Sequence, residues 1–126
     1  MVEGEVGPWP PERGSWDLLV NCTPVGMHPR VDETPLDRGD LAPGAAARET
    51  LAPRVLYDIV YNPQTTRLMR EAAEAGCRTI GGLEMLVGQA RQAFEWWTGV
   101  CPSAAVMREA AVGKLAEFAT ASPLEA

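Results

Sequence analysis

The chain has 126 residues, 46% of them hydrophobic and 22% charged, with a formal net charge of −6. These values fit one soluble globular domain with a small core and not a disordered chain. The acidic balance, with Lys114 the only lysine, argues against a nucleic-acid backbone as partner, and no apolar run approaches the length of a membrane span.

Residues 1–14 are rich in Gly, Pro and Glu and read as an irregular lead-in, with no basic region followed by an apolar stretch that would mark a signal peptide. Trp16-Asp-Leu-Leu-Val20 is a short apolar run suited to a buried parallel strand, stopped at Asn21-Cys-Thr-Pro24. Residues 24–54 read as a long loop, with short helical turns near Asp37–Ala42 and Ala45–Leu51. A second strand is predicted over Arg54–Val60 and is broken by Asn62-Pro63. Thr65 or Thr66 can cap the helix that follows, which runs to about Ala75 and stops at Gly76, with Leu68, Met69, Ala72 and Ala73 as its apolar face. Cys77–Ile80 is a third strand candidate.

The next helix carries Leu83, Leu86, Val87, Ala90, Phe94 and Trp97 at helical spacing on one face. Met85, Gln89, Gln92 and Trp96 lie on a different face, one above the other. Gly99 closes the helix. Pro102 can occupy the first turn of a last helix, beside Ser103, that runs to about Phe118, and the tail over 119–126 is expected to fray. Strand, helix and strand in this order predict an α/β fold built on a partial parallel sheet. Such sheets are normally covered on both faces, so the sequence reads as truncated at its N-terminus, with the absent strands before Trp16.

Side chains at the carboxyl end of a parallel sheet face the crevice where open α/β sheets bind ligands. Ile59 offers a flat apolar contact there and Tyr61 a phenol for a polyol or carboxylate. By pattern alone, Tyr57, Ile59 and Tyr61 are first of all alternating core residues of a strand. Gly81-Gly82 allows either a close backbone approach to a planar group or an ordinary strand-to-helix turn. Gln89 has an amide suited to vicinal hydroxyls, although a solvated surface glutamine is the commoner case; Met85, one turn earlier, lines the same pocket or packs. Asn21 and Thr23 either satisfy loop backbone groups or form the lip of a cofactor site. Trp96 and Trp97 read as core and interface residues. Asp32, Glu33, Asp37 and Asp40 read as a solvated loop face. No dinucleotide-type glycine fingerprint and no nucleophile–base pair is present. Cys22, Cys77 and Cys101 are too widely spaced for a disulfide framework, and the lone His28 offers no metal-ligand spacing.

The order of these segments is more specific than any one of them. Val20-Asn-Cys-Thr-Pro-Val-Gly-Met27, Tyr57-Asp-Ile-Val-Tyr-Asn-Pro63, Thr66-Arg-Leu68, Gly76, Gly82-Leu-Glu-Met-Leu-Val-Gly-Gln-Ala90 and Phe94-Glu-Trp-Trp-Thr-Gly99 together resemble the C-terminal part of shikimate dehydrogenase. The wording at Asn21-Cys-Thr-Pro24 and Met27–Pro35 is most similar to the versions fused to 3-dehydroquinate dehydratase.

That resemblance implies a Rossmann-like domain and the NADPH-dependent reduction of 3-dehydroshikimate to shikimate, in chorismate and aromatic amino-acid biosynthesis in the cytoplasm. Ile59 and Gly82 would meet the nicotinamide end of NADP, and Asn21 and Thr23 would flank it. Tyr61 and Gln89 would hydrogen-bond shikimate, with Met85 lining the pocket between. Residues 1–15 would be the lead-in, 16–101 the C-terminal half of the NADP-binding domain with its return helix, and 102–126 the C-terminal helix and tail. The family's catalytic Lys and Asp lie in an N-terminal substrate domain with no counterpart here; Lys114, in the last helix, does not match that lysine. No catalytic residue and no metal are therefore expected in this chain, which alone would not turn over. A half-domain serving as a non-catalytic partner module, and a quinate-preferring relative, are the alternatives.

Overall fold

The computed structural model describes residues 4–43 and 53–120. Strands β1 (Leu18–Asn21), β2 (Val55–Asp58) and β3 (Arg78–Ile80) form one parallel sheet in the order β1-β2-β3. Helices α1 (Arg38–Leu41), α2 (Arg67–Glu74), α3 (Leu83–Thr98) and α4 (Ala104–Thr120) connect and follow them. The predicted α/β class is the observed one.

Among the described residues the helices that pack on the sheet, α1 and α2, lie on one face. Leu36, Leu41, Leu56, Leu68, Met69, Ala72 and Cys77 form the core between the sheet and the helices α1 and α2, with Trp16, Leu19 and Ala75 packed at its edge. On the opposite face, strand alternation and register align Val20, Tyr57 and Ile80 in one row across all three strands. Val20 and Ile80 are exposed and Tyr57 is half-buried. An apolar row of this kind is normally covered in a parallel sheet.

Several boundaries differ from the sequence reading for local reasons. β1 begins at Leu18 because Trp16 turns toward the core edge, where the Arg54 guanidinium stacks 4.5 Å from its ring centroid. β2 ends at Asp58, two residues early: the Asp58 carboxylate takes the Val60 amide at 3.1 Å and so draws the chain out of the ladder. The expected turn near Asp37–Ala42 is α1, where Asp40 Oδ2 accepts from the Asp37 amide at 3.1 Å. The turn expected over Ala45–Leu51 and the tail beyond 120 lie outside the described residues.

Thr66, not Thr65, caps α2, its hydroxyl accepting from the Met69 amide at 3.2 Å. Gly76 terminates that helix at φ +85°, a conformation L side chains rarely adopt. Leu68, Met69 and Ala72 are buried as expected, but Ala73 is exposed and Glu71 takes its place inside, paired with Arg67 at 2.8 Å.

The largest departure lies in α3. Only Leu83 and Val87 of its apolar positions are buried. Leu86 is half-buried, whereas Ala90, Phe94 and Trp97 are exposed, and Trp96 and Trp97 are 88% and 81% accessible. Among the described elements α3 packs against α4 alone. Arg91 Nε donates to the Pro102 carbonyl at 3.0 Å and Arg108 Nε pairs with Glu84 at 2.5 Å, tying the two helices. The tryptophans are therefore not core residues of the described structure. Pro102 and Ser103 precede α4 rather than opening it, with Ser103 O accepting from Met107 N at 3.1 Å.

All three thiols are free, with Cys22 and Cys101 exposed and Cys77 buried. Burial pushes the Cys77 thiol pKa up, partly offset by the Arg54 charge, so less thiolate is available at a given pH. An aromatic disulfide reagent at neutral pH is expected to modify two thiols promptly and the third at least about tenfold more slowly until denaturant is added. Three equal rates would contradict this burial.

Candidate functional site

Four chain segments meet at the carboxyl edge of the sheet. The loop after β1 lies beside the exit of β2: Ile59 N donates to Asn21 O at 3.2 Å and His28 N to Asn62 O at 2.8 Å. The start of α2 is anchored there by Thr66, which is fully buried and whose hydroxyl donates to Asp58 Oδ2 at 2.6 Å. The start of α3 closes the group, with Gly82 N donating to Val60 O at 3.2 Å.

Gly82 is buried, and its backbone is in the ordinary right-handed region, so conformational freedom is not the reason for a glycine. The reason is proximity. A β-carbon there would fall 2.5 Å from the Ile59 carbonyl carbon, closer still to its oxygen, and 2.8 Å from Val60 O. Of the two sequence readings of this position, close backbone approach is the one the geometry shows, and the group approached is the end of β2.

Gly82 fixes the rest of α3 relative to that edge. Met85 and Gln89 lie three and seven residues further on, hence on the same helix face as Gly82. Gln92 and Trp96 continue the stripe. Gln89, Gln92, Ala93, Glu95 and Trp96 line an open groove of about 710 Å³. Gln89 is exposed, Met85 half-buried, and Tyr61 39% accessible on the exit of β2.

A second, smaller cleft of about 160 Å³ opens at the end of β1, with Asn21 and Thr23 in its wall. Thr23 is exposed, whereas Asn21 is only 6% accessible and its side chain is occupied internally. Its Oδ1 accepts from Thr23 N at 3.1 Å and Thr23 Oγ1 at 2.7 Å, and its Nδ2 donates to Asp58 Oδ1 at 3.0 Å. Asn21, Thr23, Ile59 and Gly82 thus share one corner of the sheet, Tyr61 lies two residues past Ile59, and Met85 and Gln89 extend from it along α3.

Sequence reasoning missed Asp58. The visible signal was a lone acid inside an otherwise apolar strand, at a position the alternation assigns to the covered face. Among the described residues no group of three or more His, Cys, Asp or Glu side chains could hold a metal ion, and no helix is long and apolar enough to cross a membrane.

The family described as Shikimate 5'-dehydrogenase C-terminal domain matches residues 82–112, from Gly82 into α4. A shikimate dehydrogenase (NADP(+)) of Bacillus cereus (strain 03BB102) is 38% identical over 104 residues, covering 82% of this chain and 34% of the relative. A crystal structure of shikimate dehydrogenase in complex with NADP+ superposes with a TM-score of 0.66 at 36% identity, covering 79% of this chain and 32% of that one. Quinate dehydrogenase from Corynebacterium glutamicum in complex with NAD gives a TM-score of 0.64 at 30% identity, covering 79% of this chain and 32% of that one. The chain spans about a third of the length of these proteins. In sequence and in its Rossmann-like fold, it resembles the C-terminal part of shikimate dehydrogenase.

Proposed function

We infer that this chain supplies the nicotinamide side and part of the substrate side of a shikimate dehydrogenase site, for the NADPH-dependent reduction of 3-dehydroshikimate to shikimate. The observation that carries this reading is the contact of Gly82 with the end of β2. It sets the start of α3 against Ile59 and Val60, at the edge where parallel sheets receive ligands, with Tyr61 next in the chain and Met85 and Gln89 further along α3.

The residues fit one end of the cofactor. Ile59 and the backbone of Gly82 packed directly against it form one corner suited to the flat ring, with Asn21 and Thr23 beside it. Nothing among the described residues forms the glycine-rich turn that a diphosphate needs. NADPH supplies the hydride when bound; this chain's part is to orient ring and substrate. The Tyr61 phenol and the Gln89 amide bind the substrate hydroxyls or carboxylate, and Met85 excludes water between the two ligands. Residues 16–101 then act as the C-terminal half of the NADP-binding domain, with 1–15 as lead-in and 102–126 as C-terminal helix and tail. The proton-transfer groups, a Lys and an Asp in the family's substrate domain, come from outside these residues. A cytoplasmic setting accords with a biosynthetic dehydrogenase.

A quinate-preferring activity is the second reading, supported by the comparable superposition on quinate dehydrogenase.

The test is a titration of the isotopically labelled chain with NADP+ and then shikimate, followed by amide chemical shifts. Weak binding is expected, with shifts concentrated at Ile59 and Gly82 for NADP+ and at Tyr61 and Gln89 for shikimate. Gln89→Ala should abolish the shikimate response and leave the NADP+ response in place. No turnover of shikimate with NADP+ is expected from the chain alone. Absence of shifts at millimolar ligand, or turnover at an ordinary enzymatic rate, would overturn the reading.

A further inference from the structure

Asp58 has no solvent exposure and lies at the last position of the central strand. All three of its hydrogen-bond partners donate to it. Oδ1 accepts from Asn21 Nδ2 at 3.0 Å and from Val60 N at 3.1 Å, and Oδ2 accepts from Thr66 Oγ1 at 2.6 Å. Each donor belongs to a different segment: Asn21 to the end of β1, Val60 to the exit of β2, Thr66 to the cap of α2. Each also passes the constraint on. Asn21, oriented by its bond to Asp58, presents Oδ1 to the backbone and hydroxyl of Thr23. Val60 presents its carbonyl to Gly82 N. Thr66 accepts from Met69 N.

We propose that Asp58 is a positioning residue whose buried carboxylate locks the Asn21–Thr23 loop, the Ile59–Tyr61 segment and the start of α2 into one unit. The inference rests on the reading above for its functional meaning: the loops facing the cofactor and the substrate are held in fixed relation by a group that touches neither ligand. A carboxylate suits the three donors that meet here. It accepts at both oxygens, whereas an amide of the same shape accepts at one and places a donor toward Thr66 or toward Asn21 and Val60. Leaving one of these donors unmatched in a dry site loosens the partner that carries it.

The test compares amide hydrogen exchange in the unsubstituted chain, Asp58→Asn, Thr66→Val and the conservative Thr66→Ser. Thr23 N is the decisive reporter because it does not touch Asp58 and is reached only through Asn21. Asp58→Asn is expected to speed exchange at Thr23, Val60 and Gly82 by about tenfold or more, while Gly99 and Met107 in the α3–α4 pair change less than about twofold. Thr66→Val should reproduce the effect at Thr23 even if Asp58→Asn fails to fold, and Thr66→Ser should restore the original rates. An unchanged Thr23 rate, or an equal rise at every amide, would overturn the proposal, since the first denies the coupling and the second describes general destabilisation. In the same samples Asp58→Asn should weaken the NADP+ response about tenfold. If NADP+ shifts no resonance of the unsubstituted chain, the cofactor reading fails, and the exchange rates still decide the coupling.

Discussion

Gly82→Ala is expected to destabilise the fold by about 3 kcal/mol, at the upper end of what overpacking costs. The added methyl would meet backbone atoms of Ile59 and Val60, and neither can rotate away as a side chain would. Relief requires α3 to move off the end of β2, which breaks the bond from Gly82 N to Val60 O. The same displacement would carry Met85 and Gln89 away from Tyr61, so ligand responses should vanish before the chain unfolds. Gly88, with open space around it on the same helix, provides the control. Gly88→Ala should be neutral or stabilising by about 0.5–1 kcal/mol, because a helical glycine loses more backbone entropy than alanine. Urea unfolding of the three proteins checks both. A Gly82→Ala variant within about 0.5 kcal/mol of the unsubstituted chain, half the low end of the usual overpacking cost, would contradict the close approach.

Leu56→Ala should cost about 2–5 kcal/mol, the range for a large-to-small change in a closed core. Leu56 is fully buried, sits in the middle strand, and lies within the cluster that also holds Leu41 and Leu68. A protein of ordinary stability has only about 5–15 kcal/mol to lose. With the sheet covered on one face, this variant is expected to be largely unfolded at 37 °C, visible as loss of near-ultraviolet circular dichroism. Retention of a native signal with a midpoint shift worth less than about 1 kcal/mol would mean that the cluster is not the main source of stability.

Much of this architecture was legible in the sequence. Apolar runs ended by Asn and Pro marked β1 and β2. Thr66 and Gly76 bracketed α2, and Gly82 and Gly99 bracketed α3. These signals are local, and the local physics that produces them operates in the folded chain. What was misread depends on side chains from elsewhere. The early end of β2 follows from Asp58 capturing the Val60 amide, and the late start of β1 from Arg54 stacking on Trp16. The apolar stripe of α3 announces a face to be covered but not what covers it: Phe94 and Trp97 of that stripe are exposed, and Trp96 and Trp97, read as core and interface residues, lie outside the core. At the candidate site, Ile59, Tyr61 and Gly82 were visible because the strand–turn–helix order puts them at one edge, and Gln89 because it follows Gly82 on one face of α3. Asp58 was not assigned a role because its partners, Asn21 and Thr66, lie 37 and 8 residues away in the chain.

The partly exposed row of Val20, Tyr57 and Ile80 also bears on how the molecule comes apart. The steepness of a denaturant transition and the heat-capacity increment of melting both scale with the surface newly wetted on unfolding. Val20 and Ile80 keep 40% and 36% of their accessibility in the folded chain, so they add less to either than fully buried residues do, and the exposed outer half of α3 adds less still. The molecule therefore melts over a broader range of urea and temperature than its chain length suggests, with its cooperativity concentrated in the side packed between the sheet and α2.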